Sequence, residues 1–92
     1  MKVYVHFDSQ VRRLAGCHNI SLDVPQDTTL LEVIKSVGNS GTGALRSTLL
    51  DEHDSVRPSI LIFLNNELVA KDQPCILREG AELTLTTLIS GG

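Results

Sequence analysis

The hydrophobic positions of the N-terminal quarter alternate with the period of a β-strand. In "KVYVHF" every second residue from Val3 to Phe7 is apolar, and "ISLDV", which stops at Pro25, repeats the pattern. Successive side chains of a strand point to opposite faces, so both runs predict half-buried strands. The segment between them, "SQVRRLAGCHN", contains the turn-forming residues Gly16 and Asn19. We expect a connecting loop there, and hence an antiparallel hairpin.

The following segment, "DTTLLEVIKSVG", changes to a helical period. Its apolar residues fall at the i, i+3, i+4, i+7 positions of one helix face: Leu30, Val33, Ile34 and Val37. Asp27 or Thr28 is the predicted N-cap, and Gly38 is the predicted C-terminal stop. The segment "ALRSTLLDE", after the glycine-rich "GNSGTG", predicts a second, short helix.

The second half of the chain contains three further strand-like segments. Ile60 to Leu64 has no polar member, which predicts a strand buried on both faces in the middle of a sheet. Asn65-Asn66 predicts a tight turn, and "ELVAKDQPCIL" a short strand followed by another turn. After a turn at Gly80, "ELTLTT" alternates again. The order predicts an α+β fold with one mixed sheet on one main helix, in which the first and last strands lie side by side and parallel.

Length and composition limit the function classes. The chain has 92 residues and a net charge of −3, which predicts one domain and argues against a nucleic-acid platform. We expect no membrane contact and a cytoplasmic location, since no run is apolar enough for a membrane span or a signal peptide. Cys17 and Cys75 are expected to be free thiols.

Candidate catalytic and metal-binding groups do not converge in the sequence. His6, His18 and His53 fall on different elements, so no metal site is expected. Cys17 and His18 are adjacent, and adjacent side chains of a strand point apart. The acidic run at 51–54 is expected to be a solvated loop, and "GNSGTG" lacks the Lys-Ser/Thr of a phosphate-binding loop. We therefore expect no active site within the chain, and hence no enzyme.

The C-terminal "LTTLISGG" is the feature that these elements do not explain. Gly91 and Gly92 carry no Cβ, so they can pass through a narrow channel and adopt dihedrals closed to other residues. Residues 88–92 would reach about 17 Å when extended, enough to enter a partner's deep site. The carboxylate of a terminal glycine is unhindered but a poor electrophile. Activation by a nucleotide would convert it into an acyl-adenylate that a sulfur or nitrogen nucleophile can attack.

The order of these segments resembles the β-grasp sulfur-carrier proteins, which include the small subunit of molybdopterin synthase, the thiamine sulfur carrier and the ubiquitin-related modifier of tRNA thiolation. "VHFDSQVRRLAG" resembles the first strand and loop of the molybdopterin-synthase subunit, and "DTTLLEVIKSV" its helix entry. "SVRPSILIFLNN" and "LREGAELTLTTLISGG" are similar to the ubiquitin-related modifier. The approach "TTLIS" differs from the acidic or proline-rich approach of some members, so the subfamily stays open.

The resemblance covers nearly the whole chain and implies a ubiquitin-like β-grasp domain at residues 1–87 with a flexible tail at 88–92. In that family a ubiquitin-activating-type enzyme adenylates the last glycine with ATP, and the glycine then becomes a thiocarboxylate. Carried over to this chain, the chemistry falls on Gly92, with Gly91 as its steric partner and Leu88, Ile89 and Ser90 as the tail that docks. No cofactor is expected to be bound, because the ATP is used by the activating enzyme.

The implied partners are the adenylating enzyme, a sulfurtransferase or cysteine desulfurase as sulfur source, and a sulfur-accepting synthase such as the large subunit of molybdopterin synthase. The sulfur could serve molybdopterin, thiamine, cysteine or tRNA thiolation pathways. The exposed face of the sheet is expected to contribute to docking. The alternative function is a ubiquitin-like modifier that is joined to lysines through the same glycine.

Overall fold

The computed structural model describes residues 1–71 and 73–88, which form one mixed sheet and three helices. The elements are β1 (Lys2–Phe7), α1 (Ser9–Ala15), β2 (Asn19–Asp23), α2 (Leu30–Ser40), α3 (Gly43–Leu49), β3 (Ile60–Leu64), β4 (Glu67–Leu68) and β5 (Glu82–Thr87). The strand order is β2-β1-β5-β3-β4, with β1 and β5 parallel and the other neighbours antiparallel. The predicted α+β fold, with its first and last strands side by side, is confirmed.

One face of the sheet carries the hydrophobic core. Alternate residues of β1, β3 and β5 point toward the helices and are buried there: Val3, Val5, Phe7, Ile60, Ile62, Leu83 and Leu85. The apolar side of α2, the buried leucines of α3, and Val11, Leu50, Leu77 and Ala81 belong to the same cluster. Each such side chain stabilises the fold by about 1.5–3 kcal/mol when it leaves water. The opposite face of the same strands points away from this core.

The main helix begins and ends later than the sequence predicts. Thr29 is the N-cap of α2, because its hydroxyl accepts the Glu32 amide at 3.2 Å while the Glu32 carboxylate accepts the Thr29 amide at 3.1 Å. The predicted cap Thr28 is buried instead, and its hydroxyl donates to the Pro25 carbonyl at 2.7 Å. The predicted stop Gly38 lies inside the helix. It faces α3 so closely that a Cβ there would lie 3.3 Å from Leu50.

The segment predicted to be a loop between β1 and β2 contains helix α1. Its seven residues bury Val11, and Gly16 ends it with a left-handed φ of 78° while donating its amide to Arg12. Two turns of helix with one fully buried residue give no clear apolar period, which is why the sequence does not predict this element. The turn at Asn65 and Asn66 is confirmed, with φ angles of 50° and 72° that suit a tight hairpin.

The apolar run of β3 is not buried on both faces, so this part of the prediction is wrong, whereas its expected interior position, between β5 and β4, is confirmed. β3 is the fourth strand of five, and β5 is the central one. Ile60 and Ile62 are buried in the core, whereas Leu61 and Phe63 point to the other face and are half-exposed. Within residues 1–71 and 73–88, no helix combines the length and apolarity that crossing a membrane requires.

Candidate functional site

The candidate site begins where β5 ends. Of the residues predicted to carry the chemistry or the docking tail, Gly92, Gly91, Ser90 and Ile89 lie outside the described residues. Leu88, the first residue of the predicted tail, is 58% exposed, and its amide donates to the Ser59 carbonyl at 2.6 Å. The structure therefore gives the position of the first tail residue, four residues before Gly92.

The end of β5 is held from the side of β1. The Asp8 amide donates to the Leu85 carbonyl at 3.0 Å, and the hydroxyls of Ser9 and Thr86 lie 3.1 Å apart. Ser9 has a φ of 54°, a left-handed conformation that is unusual for a serine and that starts helix α1 directly beside β5. These contacts hold the last residues of β5 against the β1–α1 connection.

On the other side, the end of β5 contacts residues 57–60, which we call the tail anchor. Ile60 pairs with Thr87, and the Ile60 amide donates to the Arg57 carbonyl at 3.0 Å, which closes a turn. The Arg57 amide in turn donates to Leu49 at 2.9 Å. The ammonium of Lys71 donates to carbonyl groups of the same segment. Partial burial lowers the pKa of Lys71 below its usual range.

The face of the sheet opposite the core, which we call the open face, has an apolar part and a polar part. Leu61 and Phe63 on β3 and Leu68 on β4 form its apolar strip, and Phe63 lies directly opposite Leu68 in the register. Leu68 is 62% exposed. Exposed apolar side chains grouped on one face indicate a protein-contact surface more strongly than scattered ones do.

The polar part of the open face lies on β1 and β5. His6 Nε2 is 3.0 Å from Glu82 Oε1, and Thr84 lies opposite both His6 and Phe63 in the register. Tyr4 on β1 adds a half-exposed aromatic ring beside Glu82. The open face thus combines an apolar strip with hydrogen-bonding groups, the composition typical of a non-obligate protein interface.

The other candidate groups of the sequence are not brought together. His18 contacts Arg12, at 3.4 Å, and His53 contacts Glu52, at 3.6 Å. Cys17 and Cys75 are both free and half-buried. In residues 1–71 and 73–88, no three His, Cys, Asp or Glu side chains are grouped so as to hold a metal ion.

A mostly apolar cavity of about 340 Å³ lies between the start of α2 and β3. Its wall includes Leu30, Leu31, Ile62, Lys71, Pro74 and Cys75. The Cys75 side chain packs partly against the core at this place. At this place Cys75 packs as a small hydrophobic residue.

Sequence reasoning did not find the tail anchor or the members of the open face. Ser59 contributes only a backbone carbonyl to the Leu88 contact, so its side chain gives no signal. Lys71 lies in a polar stretch of ordinary composition, and its role depends on a hydrogen-bond geometry that only the folded chain shows. Leu61 and Phe63 were missed because they lie in an apolar run that the sequence assigned to the core, and Leu68 because a single leucine in a short strand gives no indication of its exposure.

Comparison with known proteins finds no match among family models, and none among curated proteins. Solved structures do match. SAMP1 from Haloferax volcanii superposes with a TM-score of 0.86 at 22% identity, over 100% of both chains. Urm1 from Trypanosoma brucei gives 0.79 at 20% identity, over 99% of this chain and 95% of that one.

A Pyrococcus furiosus protein described as molybdopterin converting factor subunit 1 gives a TM-score of 0.74 at 17% identity, over 97% of this chain and 99% of that one. At these identities the likeness concerns the fold. The expected fold is confirmed on this basis: the chain has the ubiquitin-like β-grasp fold of the small archaeal modifier, Urm1 and the molybdopterin converting factor subunit.

Proposed function

We propose that this chain is a sulfur-carrier protein, a cosubstrate whose Gly92 is adenylated and then converted to a thiocarboxylate. The observation that carries the proposal is the position of Gly91-Gly92: Gly92 is four residues beyond Leu88, whose amide is hydrogen-bonded to Ser59 at the end of β5. Four extended residues would reach about 14 Å from that point. A fixed starting point with such a reach suits the delivery of a small carboxylate into a partner's deep site.

The proposed reaction balances without a catalytic group on this chain. A carboxylate oxygen of Gly92 attacks the α-phosphorus of ATP in the activating enzyme, and pyrophosphate leaves. The outer sulfur of a persulfide on a sulfurtransferase or cysteine desulfurase then attacks the carbonyl carbon, and AMP leaves as the C–O bond breaks. A thiol reductant next attacks the enzyme cysteine sulfur of the resulting acyl disulfide, so that the S–S bond breaks, a new disulfide forms and the thiocarboxylate of Gly92 is released. The resulting thiocarboxylate donates its sulfur to an accepting synthase. The enzymatic groups belong to the partners, and this chain supplies the terminus.

We further propose that the open face is the surface that docks on the activating enzyme. Its apolar strip is exposed, and it lies on β3 and β4, next to the strand from which the tail leaves. Burial of such a strip in a partner would supply most of the binding free energy, while the polar groups of His6 and Glu82 would orient the complex. The tail itself then needs to contribute little to affinity.

The second candidate function is a ubiquitin-like modifier. It is favoured by the structural similarity to the small archaeal modifier protein from Haloferax volcanii, at a TM-score of 0.86 over the whole of both chains. The first step would be the same adenylate. The nucleophile would be the amine of a target lysine, so that an isopeptide bond forms and AMP leaves.

One experiment separates these functions. The chain is incubated with a ubiquitin-activating-type enzyme, ATP and a sulfur donor, or recovered from its native cells, and its intact mass is measured. An oxygen-to-sulfur exchange that is absent from a variant lacking Gly92 supports the sulfur carrier. Conjugates with Gly-Gly remnants on lysines support the modifier. An unchanged mass without conjugates, while the enzyme activates another carrier, contradicts both.

A matched control tests whether the terminal carboxylate itself is needed. Adding one alanine after Gly92 moves the terminal carboxylate to another residue and should leave the fold of the described residues unchanged. The extended chain should unfold at the same temperature as the original and fail to be adenylated. Adenylation of the extended chain without trimming of the added residue would contradict the proposal.

A further inference from the structure

The side chain of Lys71 hydrogen-bonds to β3 at a point where β4 no longer pairs with it. β4 ends at Leu68, and the Val69 amide donates to the Ile62 carbonyl at 3.0 Å. If this pairing continued in the same register, the backbone of residue 71 would face Ile60. Instead the Lys71 ammonium donates to the Ile60 carbonyl, so a side chain takes the place of the missing strand.

The same ammonium holds two further carbonyls of the tail anchor. Lys71 Nζ lies 3.1 Å from the Arg57 carbonyl oxygen and 3.0 Å from that of Pro58. An ammonium has three N–H donors, so its hydrogen-bonding capacity is used in full. These three carbonyls lie on either side of Ser59, whose own carbonyl accepts the Leu88 amide. Lys71 therefore fixes the residues on either side of Ser59, the hydrogen-bond partner of Leu88.

We infer that Lys71 is a positioning residue for the C-terminal tail: through the tail anchor, it sets where the chain leaves the sheet toward Gly92. The inference rests on the proposed function, because it assumes that Gly92 is the reacting residue. When the chain that carries a reacting group starts from a fixed point, fewer conformations are accessible to that group, and the entropy cost of reaching the reactive geometry is lower. Lys71 should therefore affect the reaction step more than the docking of the open face.

The test uses three variants of the full chain. Lys71→Met keeps the aliphatic stem but removes the charge and the donors, and Lys71→Arg keeps both. Lys35→Met is the matched control, since Lys35 is also half-buried but lies on α2. Thermal unfolding is recorded for each variant, so that a general loss of stability is not mistaken for a local effect.

The first readout is the hydrogen exchange of single backbone amides, measured by NMR. In Lys71→Met the Leu88 amide should exchange roughly fivefold faster or more, because its acceptor Ser59 is no longer held in place. The Tyr4 amide, which donates to Ala81 at 2.8 Å beside the central strand, should be unaffected. Lys71→Arg should restore most of the protection of Leu88. Unchanged exchange at Leu88 in Lys71→Met would overturn the inference.

The second readout is adenylation by the activating enzyme. Lys71→Met should lower kcat about three- to tenfold and leave KM within a factor of two, because the tail is delivered less often while the open face still docks. A rise in KM at constant kcat would overturn the positioning role. If the unaltered chain is not adenylated at all, the proposed function fails. The Leu88 exchange then decides by itself whether Lys71 fixes the tail anchor.

Discussion

The side chain of Asp51 stabilises a turn in the acidic run at 51–54. Its carboxylate Oδ1 accepts the amides of His53 at 2.8 Å and Ser55 at 3.0 Å, and so closes the turn that brings Leu50 opposite Val56. These amides, that of Ser55 first, hold the pKa of Asp51 below its ordinary value of 3.8. The acidic run at 51–54 is thus an ordered turn, and it leads directly into the tail anchor.

The first prediction concerns the pH dependence that Asp51 creates. Its folded-state pKa is lowered, so the stabilisation is present at neutral pH and is lost as pH falls below 3.8 and through the folded-state value. Asp51→Asn keeps an oxygen acceptor for both amides but does not titrate. The variant should therefore lose less stability than the original chain between pH 5 and pH 2, as measured by urea unfolding.

The control for this prediction is Asp23→Asn, which changes an exposed aspartate at the end of β2. This variant should keep the acid response of the original chain. Parallel loss of stability in the original chain and in Asp51→Asn would show that the Asp51 turn does not contribute to the pH dependence.

At the scale of elements, the helix ends are determined by capping and backbone geometry. α2 begins at a reciprocal pair of hydrogen bonds between Thr29 and Glu32, and α1 ends at Gly16 in the left-handed region. Both helix ends are determined by residues close in sequence, and each also positions a neighbouring part of the fold. The end of α1 leads into β2, and the start of α2 forms one wall of the cavity at Cys75.

The second prediction addresses the N-cap of α2. Thr29→Ala should lower the free energy of unfolding by about 1 kcal/mol, because the amide of Glu32 loses its acceptor. Thr29→Ser retains the hydroxyl and should lose less than half as much. Chemical denaturation of both variants measures the difference. Equal losses would show that the methyl group of Thr29, and not its oxygen, stabilises the helix start.

The third prediction addresses the end of α1. Gly16 has a φ of 78°, and a Cβ built there would meet no atom within 4 Å. Gly16→Ala should therefore destabilise the fold by about 1 kcal/mol through backbone strain alone. Gly43 also has free space around its Cβ position, but no left-handed φ. Gly43→Ala, at the first position of α3, should be neutral or slightly stabilising in the same unfolding measurement.

At the scale of the whole molecule, the sheet separates the core from the proposed contact surface. The strands β1, β5 and β3 each give alternate residues to the core and to the open face. The tail leaves from the end of the central strand β5, between the β1–α1 connection and the tail anchor. In the proposed function, one rigid body therefore carries the docking surface and fixes the origin of the reacting tail.

The fourth prediction tests the docking surface. Leu68→Ser should raise the KM for adenylation roughly tenfold, which corresponds to about 1.4 kcal/mol, and leave kcat unchanged. Ile76→Ser is the matched control, because Ile76 is 60% exposed and Leu68 is 62% exposed, but Ile76 lies outside the open face. The control should change KM less than twofold. Equal effects of the two variants would contradict the proposed role of the apolar strip.

Most of the fold could be predicted from the sequence where the signal is periodic and local. The alternation in β1, β2 and β5 predicts strands because one face of each contacts the core, and the two asparagines predict the hairpin turn that leads into β4. The helical spacing of α2 predicts its buried side. α1 was missed because it is too short to show a period. The end of α2 was predicted too early because Gly38 serves close packing against α3 inside the helix and does not end it.

The sequence by itself determined the class and order of the strands and of helices α2 and α3, and the presence of the two glycines beyond the last strand. Only the tertiary structure decided which apolar residues of β3 face the core, since an unbroken apolar run has no period that distinguishes Ile62 from Phe63. It also decided how Leu88 is held, because Leu88 donates its amide to the backbone carbonyl of Ser59, and the Lys71 ammonium donates to the backbone carbonyls on either side of Ser59. Backbone groups are the same in every residue, so their partners are specified by the fold and not by residue type.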